Sequence, residues 1–180
     1  TITFANNGDA DLTVSAITVN GGVFASGGGT CNAAGFTLAA GTNCTVDVIF
    51  TPSATGAANG SVDFTADAPT NTNSVTLAGN GIQGSLSVMP GSIDFGDQLV
   101  GSPSAAQTIT FANNGDADLA VSAITVNGGV FANAGGSCNA AGFTLAAGTS
   151  CTVDVVFTPS ATGAANGSLD FTADGPGNTN

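Results

Sequence analysis

The 180-residue sequence contains no lysine, arginine, histidine, tryptophan or tyrosine, and all twelve of its acidic residues are aspartate. With a formal charge of −12 and no cationic side chain, the chain is a poor partner for nucleic acid or anionic membrane surfaces, whose proteins rely on Lys and Arg. Salt bridges between side chains cannot form. The uncompensated aspartates keep copies of the chain apart unless cations screen them. Glu, Lys and Arg are also the good straight-chain helix formers, and their absence beside plentiful Gly, Thr, Val, Asn and Asp points to β-structure with many turns. No run approaches the 18 apolar residues of a membrane span, so no direct membrane insertion is expected, and the first residues do not resemble a signal peptide.

The same absences restrict chemistry. General acid–base and nucleophilic catalysis draw on His, Lys, Tyr, Glu, Asp and Cys, of which only Asp and four cysteines remain. Paired aspartates can hydrolyse a glycoside, but here they alternate outward on strands or sit in turns, so no enzyme activity is expected. The eleven Phe fall on apolar strand faces and read as core rather than as a sugar platform. Gly27 to Gly29 has no following Lys or helix to hold phosphate and reads as a loop. Asn43, Asn59 and Asn166 begin N-x-Ser/Thr triplets, a common chance match in this composition. Lys–Asn isopeptide cross-links are excluded.

What is present is repetition. TITFANNGDADL at Thr1 returns at Thr108, and residues 1–73 match residues 108–180 without a gap. The differences are Thr13/Ala120, Ser26/Asn133, Gly27/Ala134, Thr30/Ser137, Asn43/Ser150, Ile49/Val156, Val62/Leu169, Ala68/Gly175 and Thr70/Gly177. A period of 107 residues is too long for a solenoid and suits one β-sandwich domain per repeat. With 42% hydrophobic residues the chain has material for a sizeable core.

Alternating apolar residues mark the strands. Ile109 and Phe111 alternate, then Leu119 and Val121, then Ile124 and Val126 after a phase slip that predicts a bulge. Phe143 and Leu145 follow. Cys151, Val153, Val155 and Phe157 share one face, and Leu169 and Phe171 continue the series. Asn114-Gly115, Gly128-Gly129, Gly148-Thr149 and Asn166-Gly167 punctuate the runs, and Asn-Gly reads as a hairpin turn tolerant of positive φ. Between the copies lie a closing strand (Val75, Leu77), the connector NGIQG and an opening strand pair (Leu86, Val88, Ile93, Phe95). The expected domains are 1–82, lacking its opening strand, and 83–180, lacking its closing one, as in a segment of a longer array.

Three stretches carry a family resemblance: SIDFGDQLVGSPSAAQTITFANNGDADLAVSAITV, GGSCNAAGFTLAAGTSCTVDVVFTPSATGAANGSLDFTAD and, in the first copy, SVTLAGNGI. The sequence resembles the bacterial choice-of-anchor D type of Ig-like domain, related to the hydin and abnormal-spindle (ASH) Ig-like domains. The likeness covers essentially the whole chain. It implies an all-β fold of tandem immunoglobulin-like sandwiches of seven to nine strands, on large secreted or surface-attached bacterial proteins, without enzyme activity.

Four cysteines allow three pairings, and because Cys31 and Cys44 recur as Cys138 and Cys151, one bridge inside each domain is the natural choice. Zinc is the sharper alternative, yet two Cys per domain and no His would require carboxylates or two domains to complete a tetrahedral site. Disulfides place the chain in an oxidising compartment, extracellular or at the cell surface. The turn Asn113 to Asp118 raises calcium, with Asn114, Asp116 and Asp118 as candidate oxygen ligands. Its bland counterpart is a turn whose Asp side chains bond backbone amides and face water. No other cofactor is expected.

The leading expectation is a non-catalytic structural repeat of a bacterial extracellular fibre, stalk or repetitive adhesin. It associates with itself or with neighbouring repeats through sheet edges and domain poles. The alternative is a binding module whose polar loops recognise a host or neighbouring-cell protein or glycan. The differences at Ser26, Gly27 and Thr30 against Asn133, Ala134 and Ser137 lie before the first cysteine of each pair, where such a surface could vary.

Overall fold

The computed structural model describes residues 1–32, 35–67, 72–138 and 141–174. The sequence differences at positions 68, 70, 175 and 177 lie outside the described residues. All regular structure among the described residues is β-strand, and the chain divides into two compact units, Thr1–Gly81 and Ile82–Asn180.

The first unit holds β1 (Ile2–Ala5), β2 (Leu12–Asn20), β3 (Phe24–Gly29), β4 (Phe36–Leu38), β5 (Asn43–Phe50), β6 (Gly56–Ala66) and β7 (Thr72–Gly81). They form two antiparallel sheets, ordered β1-β5-β3 and β4-β2-β6-β7. The second unit holds β8 (Leu86–Met89), β9 (Gln107–Asn113), β10 (Leu119–Asn127), β11 (Phe131–Gly135), β12 (Phe143–Leu145), β13 (Ser150–Phe157) and β14 (Ser168–Ala173). Its sheets are ordered β11-β13-β9-β8 and β12-β10-β14. Six strands correspond one to one across the repeat, β1 to β6 with β9 to β14. β7 and β8 have no counterparts among the described residues.

Period-two patterning explains the cores. On β13, Cys151, Val153, Val155 and Phe157 are all buried while the intervening residues are only partly so, because successive side chains point to opposite faces. In each unit the apolar faces of both sheets share one core. Phe4 of β1 meets Val62 and Phe64 of β6 in the first, and Phe111 of β9 meets Val121 of β10 and Phe171 of β14 in the second. Phe4 and Phe64 stack with ring centroids 4.5 Å apart, whereas Phe111 and Phe171 meet edge to face at 5.2 Å. The expected phase slip is present in both units, as register shifts between Val14 and Ala16 and between Val121 and Ile124.

Three expectations are corrected. The Asn114-Gly115 turn is not a hairpin, because β9 and β10 belong to different sheets and the turn carries the chain between layers. Nor does Gly115 adopt positive φ. It is needed for close approach, since a Cβ there would lie 2.2 Å from the Gln83 carbonyl oxygen and 2.5 Å from the Ser85 nitrogen. Gly27 to Gly29 is not a loop but the end of β3, bulged between Ser26 and Gly28, with Gly29 at φ +118° against the backbone of Thr45. Ile93 and Phe95 form no strand. Asp94 Oδ1 accepts the Gly96 amide at 2.9 Å in a local turn that interrupts extended backbone between them. Phe95 still packs on Phe131 and Phe157, at 5.8 and 5.9 Å between ring centroids.

One aspartate of the first unit has its acidity set by the strand beside it. The Thr13 amide donates to Asp67 Oδ1 at 2.8 Å, and hydrogen bonds from the Thr13 side chain and backbone hold the Asp67 carboxyl below its ordinary value. In the second unit the residue matching Thr13 is Ala120, whose amide bonds Asp174 at 2.5 Å. A carboxyl with a lowered folded-state pKa contributes stability above its unfolded value that is lost as pH falls through the folded one. We predict that carbon-detected NMR will find the Asp67 midpoint below 3.8 and that Thr13→Ala will raise it. An unchanged midpoint would contradict the assignment.

Candidate functional site

The organising residue of the candidate turn is Asn113, which alternation from Ile109 and Phe111 places on the core face. It is 1% exposed. Its Nδ2 donates to the carbonyls of Ala117 at 2.8 Å and Leu145 at 2.9 Å, and its Oδ1 accepts the amides of Gly115 and Ser85, each at 3.0 Å. All four hydrogen-bonding positions of the amide are thereby used. Asn6, its counterpart, donates to Ala10 and Leu38, each at 2.9 Å, and accepts from Gly8 at 3.1 Å. Each asparagine thus pins three things to one buried point: a turn, its own strand end and the β4 or β12 strand. In the second unit it also pins the Gln83 to Ser85 segment that leads into β8.

The candidate calcium ligands surround this hub. The Asn114 amide donates to the Ser85 carbonyl at 2.8 Å and the Asp116 amide to the Gln83 carbonyl at 3.1 Å. The Asp118 carboxylate accepts the Ala147 amide at 3.1 Å, as Asp11 accepts the Ala40 amide at 3.1 Å. Among the described residues no group of three or more His, Cys, Asp or Glu gathers into a metal site. The turn is held by protein hydrogen bonds, and Asp118 acts as an acceptor that fixes the bend before the second cysteine.

That bend belongs to a disulfide-closed loop. Cys31 is bonded to Cys44 and Cys138 to Cys151, each with Cα atoms 5.0 Å apart. Cys44 and Cys151 are buried on β5 and β13, while Cys31 and Cys138 dock by backbone amides onto Thr45 and Thr152, each at 2.9 Å. The bridge therefore secures the end of the edge strand, β3 or β11, to the central strand of its sheet. Two of the positions that differ between copies, Ser26 and Gly27 against Asn133 and Ala134, lie on those edge strands and are exposed.

Close packing at the turn makes a testable contrast. Gly115→Ala puts a methyl group into the backbone of Gln83 and Ser85, whereas a Cβ on Gly8 meets only Asn6 Oδ1, at 3.3 Å. Gly115→Ala is expected to cost about 1–3 kcal/mol of stability in the second unit, and Gly8→Ala less than half as much in the first. Denaturant melts followed by NMR probes in each unit check this, and equal costs would contradict it.

Sequence reasoning singled out the exposed Asn114, Asp116 and Asp118 and passed over Asn113 and Asn6. The available signal was the apolar alternation running into the asparagine. Among the described residues no helix is long and apolar enough to cross a membrane.

Comparison with known proteins places these features in a family. No curated protein matches the chain. Among solved structures, it is similar to the secreted serine protease VesC from Vibrio cholerae, with 19% identity and a TM-score of 0.37 over 96% of this chain and 46% of that one. It therefore spans less than half the length of that protein. A protein of unknown function from Porphyromonas gingivalis W83 is similar with 14% identity and a TM-score of 0.37, over 94% of this chain and 81% of that one. The family model that matches covers residues 82–180 and is described as ASH, Abnormal spindle-like microcephaly-assoc'd, ASPM-SPD-2-Hydin. With more than half of its residues matched, this all-β, disulfide-bonded chain belongs to the ASH family.

Proposed function

We propose that the chain is a non-catalytic structural repeat of a bacterial extracellular fibre, stalk or adhesin, built of tandem Ig-like sandwiches of the choice-of-anchor D type. The observation that carries the reading is the folding of one near-identical sequence twice. Six corresponding strands pair in the same register in the two units, and each unit has its own disulfide and its own buried asparagine. Duplication that keeps the cysteines, Asn6/Asn113 and nearly all of the core residues suits a part whose job is to be repeated.

Two further observations support it. Disulfides belong to oxidising compartments, and the exposed surface of Asn, Thr, Ser, Gly and Asp is soluble without being sticky. The absence of Lys and Arg leaves trypsin-like proteases no site. Catalysis has no support in the residue inventory, and self-association at sheet edges and poles is the expected mode of contact.

The test is surface labelling of the source cells with antibody against the 180-residue chain, followed by the mass of the labelled polypeptide. Labelling of intact cells, on a chain well above 17.1 kDa, is the expected result. Signal only after permeabilisation would overturn the reading. The exposure of Ser26, Asn133 and Ala134 on edge strands favours a second reading, a module that recognises a protein or glycan. Exchanging these residues between copies would alter adhesion under that reading and leave it unchanged under the first.

A further inference from the structure

Two of the differences between the copies meet at one contact. β3 pairs with β5 as Ala25 opposite Ile49, Ser26 opposite Val48 and Gly28 opposite Asp47, so Gly27 is the extra residue of the bulge. The second unit repeats this register, with Ala132 opposite Val156, Asn133 opposite Val155 and Gly135 opposite Asp154, and Ala134 is the extra residue. Unlike Gly28 and Gly29, Gly27 does not adopt positive φ, so its backbone accepts an L side chain. Space is what excludes one, because a Cβ on Gly27 would lie 2.8 Å from Ile49 Cγ1 and 2.9 Å from Ile49 Cδ1. A β-branched side chain is stiff at χ1, so this arm does not swing aside freely. Where the bulge carries the methyl group of Ala134, the matching residue on β13 is Val156, which has no Cδ1.

The neighbouring differences carry no such coupling. Asn133, which replaces Ser26, accepts the Gly135 amide at 2.8 Å within its own strand. Thr30 and Ser137 both keep the hydroxyl that accepts the amide of Thr45 or Thr152, each at 2.9 Å. An edge strand moved to the other unit would find the same partners for these bonds. The bulge contact is different. β11 on β5 would set the Ala134 methyl group against Ile49, and β3 on β13 would leave Val156 beside a glycine.

We propose that the matched pairs Gly27–Ile49 and Ala134–Val156 set strand-pairing specificity: each directs a bulged edge strand to the partner strand of its own repeat and opposes strand exchange with a near-identical one. Exchange and misassembly are characteristic failures of repeat chains. β5 and β13 differ only at Asn43/Ser150 and Ile49/Val156, so little else on these strands tells one from the other. The choice also decides the bridges. Cys31 follows β3 by two residues and is bonded to Cys44 on β5, so an exchanged edge strand carries Cys31 to Cys151 and Cys138 to Cys44. The inference does not depend on the fibre reading.

Double-mutant cycles on the 180-residue chain test the contact. In the first unit Gly27→Ala alone is expected to raise the unfolding equilibrium constant about fivefold, and Ile49→Val alone less than about threefold. The two together are expected to restore the original value or improve on it, because alanine narrows the unfolded ensemble. In the second unit Val156→Ile is expected to be harmful beside Ala134 and tolerated together with Ala134→Gly. Additive effects in both cycles would overturn the proposal.

A second measurement reads the pairing itself. The chain and its Gly27→Ala/Ile49→Val variant, whose bulge contact then matches that of the second unit, are oxidised from the reduced, unfolded state. Their disulfides are mapped by mass spectrometry after cleavage at phenylalanine, and Thr30/Ser137 and Asn43/Ser150 help to give the four cysteine peptides distinct masses. The exchanged bridges Cys31–Cys151 and Cys138–Cys44 are expected to be about threefold or more as abundant in the variant. Equal abundance in the two proteins would overturn the proposal. So would an equal rise in the remaining pairing, Cys31–Cys138 with Cys44–Cys151, which reports general loss of order rather than strand exchange.

Discussion

Asn113→Ala is expected to destabilise the second unit by about 3 kcal/mol and Asn6→Ala to destabilise the first by about 2 kcal/mol. The truncated side chain leaves the carbonyls of Ala117 and Leu145 and the amides of Gly115 and Ser85 without their partner. Asn113 is 1% exposed, so water replaces those bonds poorly, and an orphaned buried polar group costs its desolvation. Asn113 accepts the Ser85 amide in addition to the kinds of contact it shares with Asn6. Asn113→Asp keeps the acceptor but removes both donors, and it places a charge in the core, so it is expected to be at least as harmful as alanine. Denaturant melts read separately from probes in each unit check the ranking. Losses below about 1 kcal/mol, or a larger loss at Asn6, would contradict the role given to this residue.

Reduction of the disulfides is expected to have an effect of the same size in both units. Cross-linking residues 13 apart removes loop entropy from the unfolded chain worth about 3 kcal/mol. For units of this length such a loss lowers the melting temperature by on the order of 10 to 20 °C. Nothing else covalent compensates, and without Lys, Arg or His no side-chain ion pair can. Calorimetry with and without reductant, and of the Cys31→Ala/Cys44→Ala and Cys138→Ala/Cys151→Ala double variants, measures the contribution bridge by bridge. Each double variant should lower only the transition of its own unit. A shift of less than about 3 °C would mean that the docking of Thr45 and Thr152 onto the neighbouring strand end, rather than the bridge, holds the edge.

How far the sequence disclosed these features depended on which signal each strand carried. β13 was legible because Cys151, Val153, Val155 and Phe157 alternate without interruption, and the bulge in β10 was legible because the alternation changes phase between Val121 and Ile124. β3 and β11 were not, because FASGGG and FANAG offer one large apolar residue each and owe their pairing to the neighbouring strand, β5 or β13. The Asn114-Gly115 turn was misread for a physical reason. Gly permits both positive φ and close backbone contact, and only the packing of Gln83 and Ser85 against it distinguishes the second use from the first. Asn113 was passed over in favour of its exposed neighbours, since an asparagine beside a turn ordinarily serves the turn from outside. Its position two residues after Phe111 was the contrary sign. Phe95 illustrates the opposite case, in which burial was read correctly while strand pairing was not.

The central claim, that this sequence is a repeated structural part of an assembly outside the cell, is tested most directly by electron microscopy of the native material that carries it. The account predicts filaments or rods with an axial repeat matching one or two of these units, fragmenting when the disulfides are reduced and the solution is warmed. Particles with no axial repeat, in which these two units occur once within an otherwise unrelated protein, would contradict it.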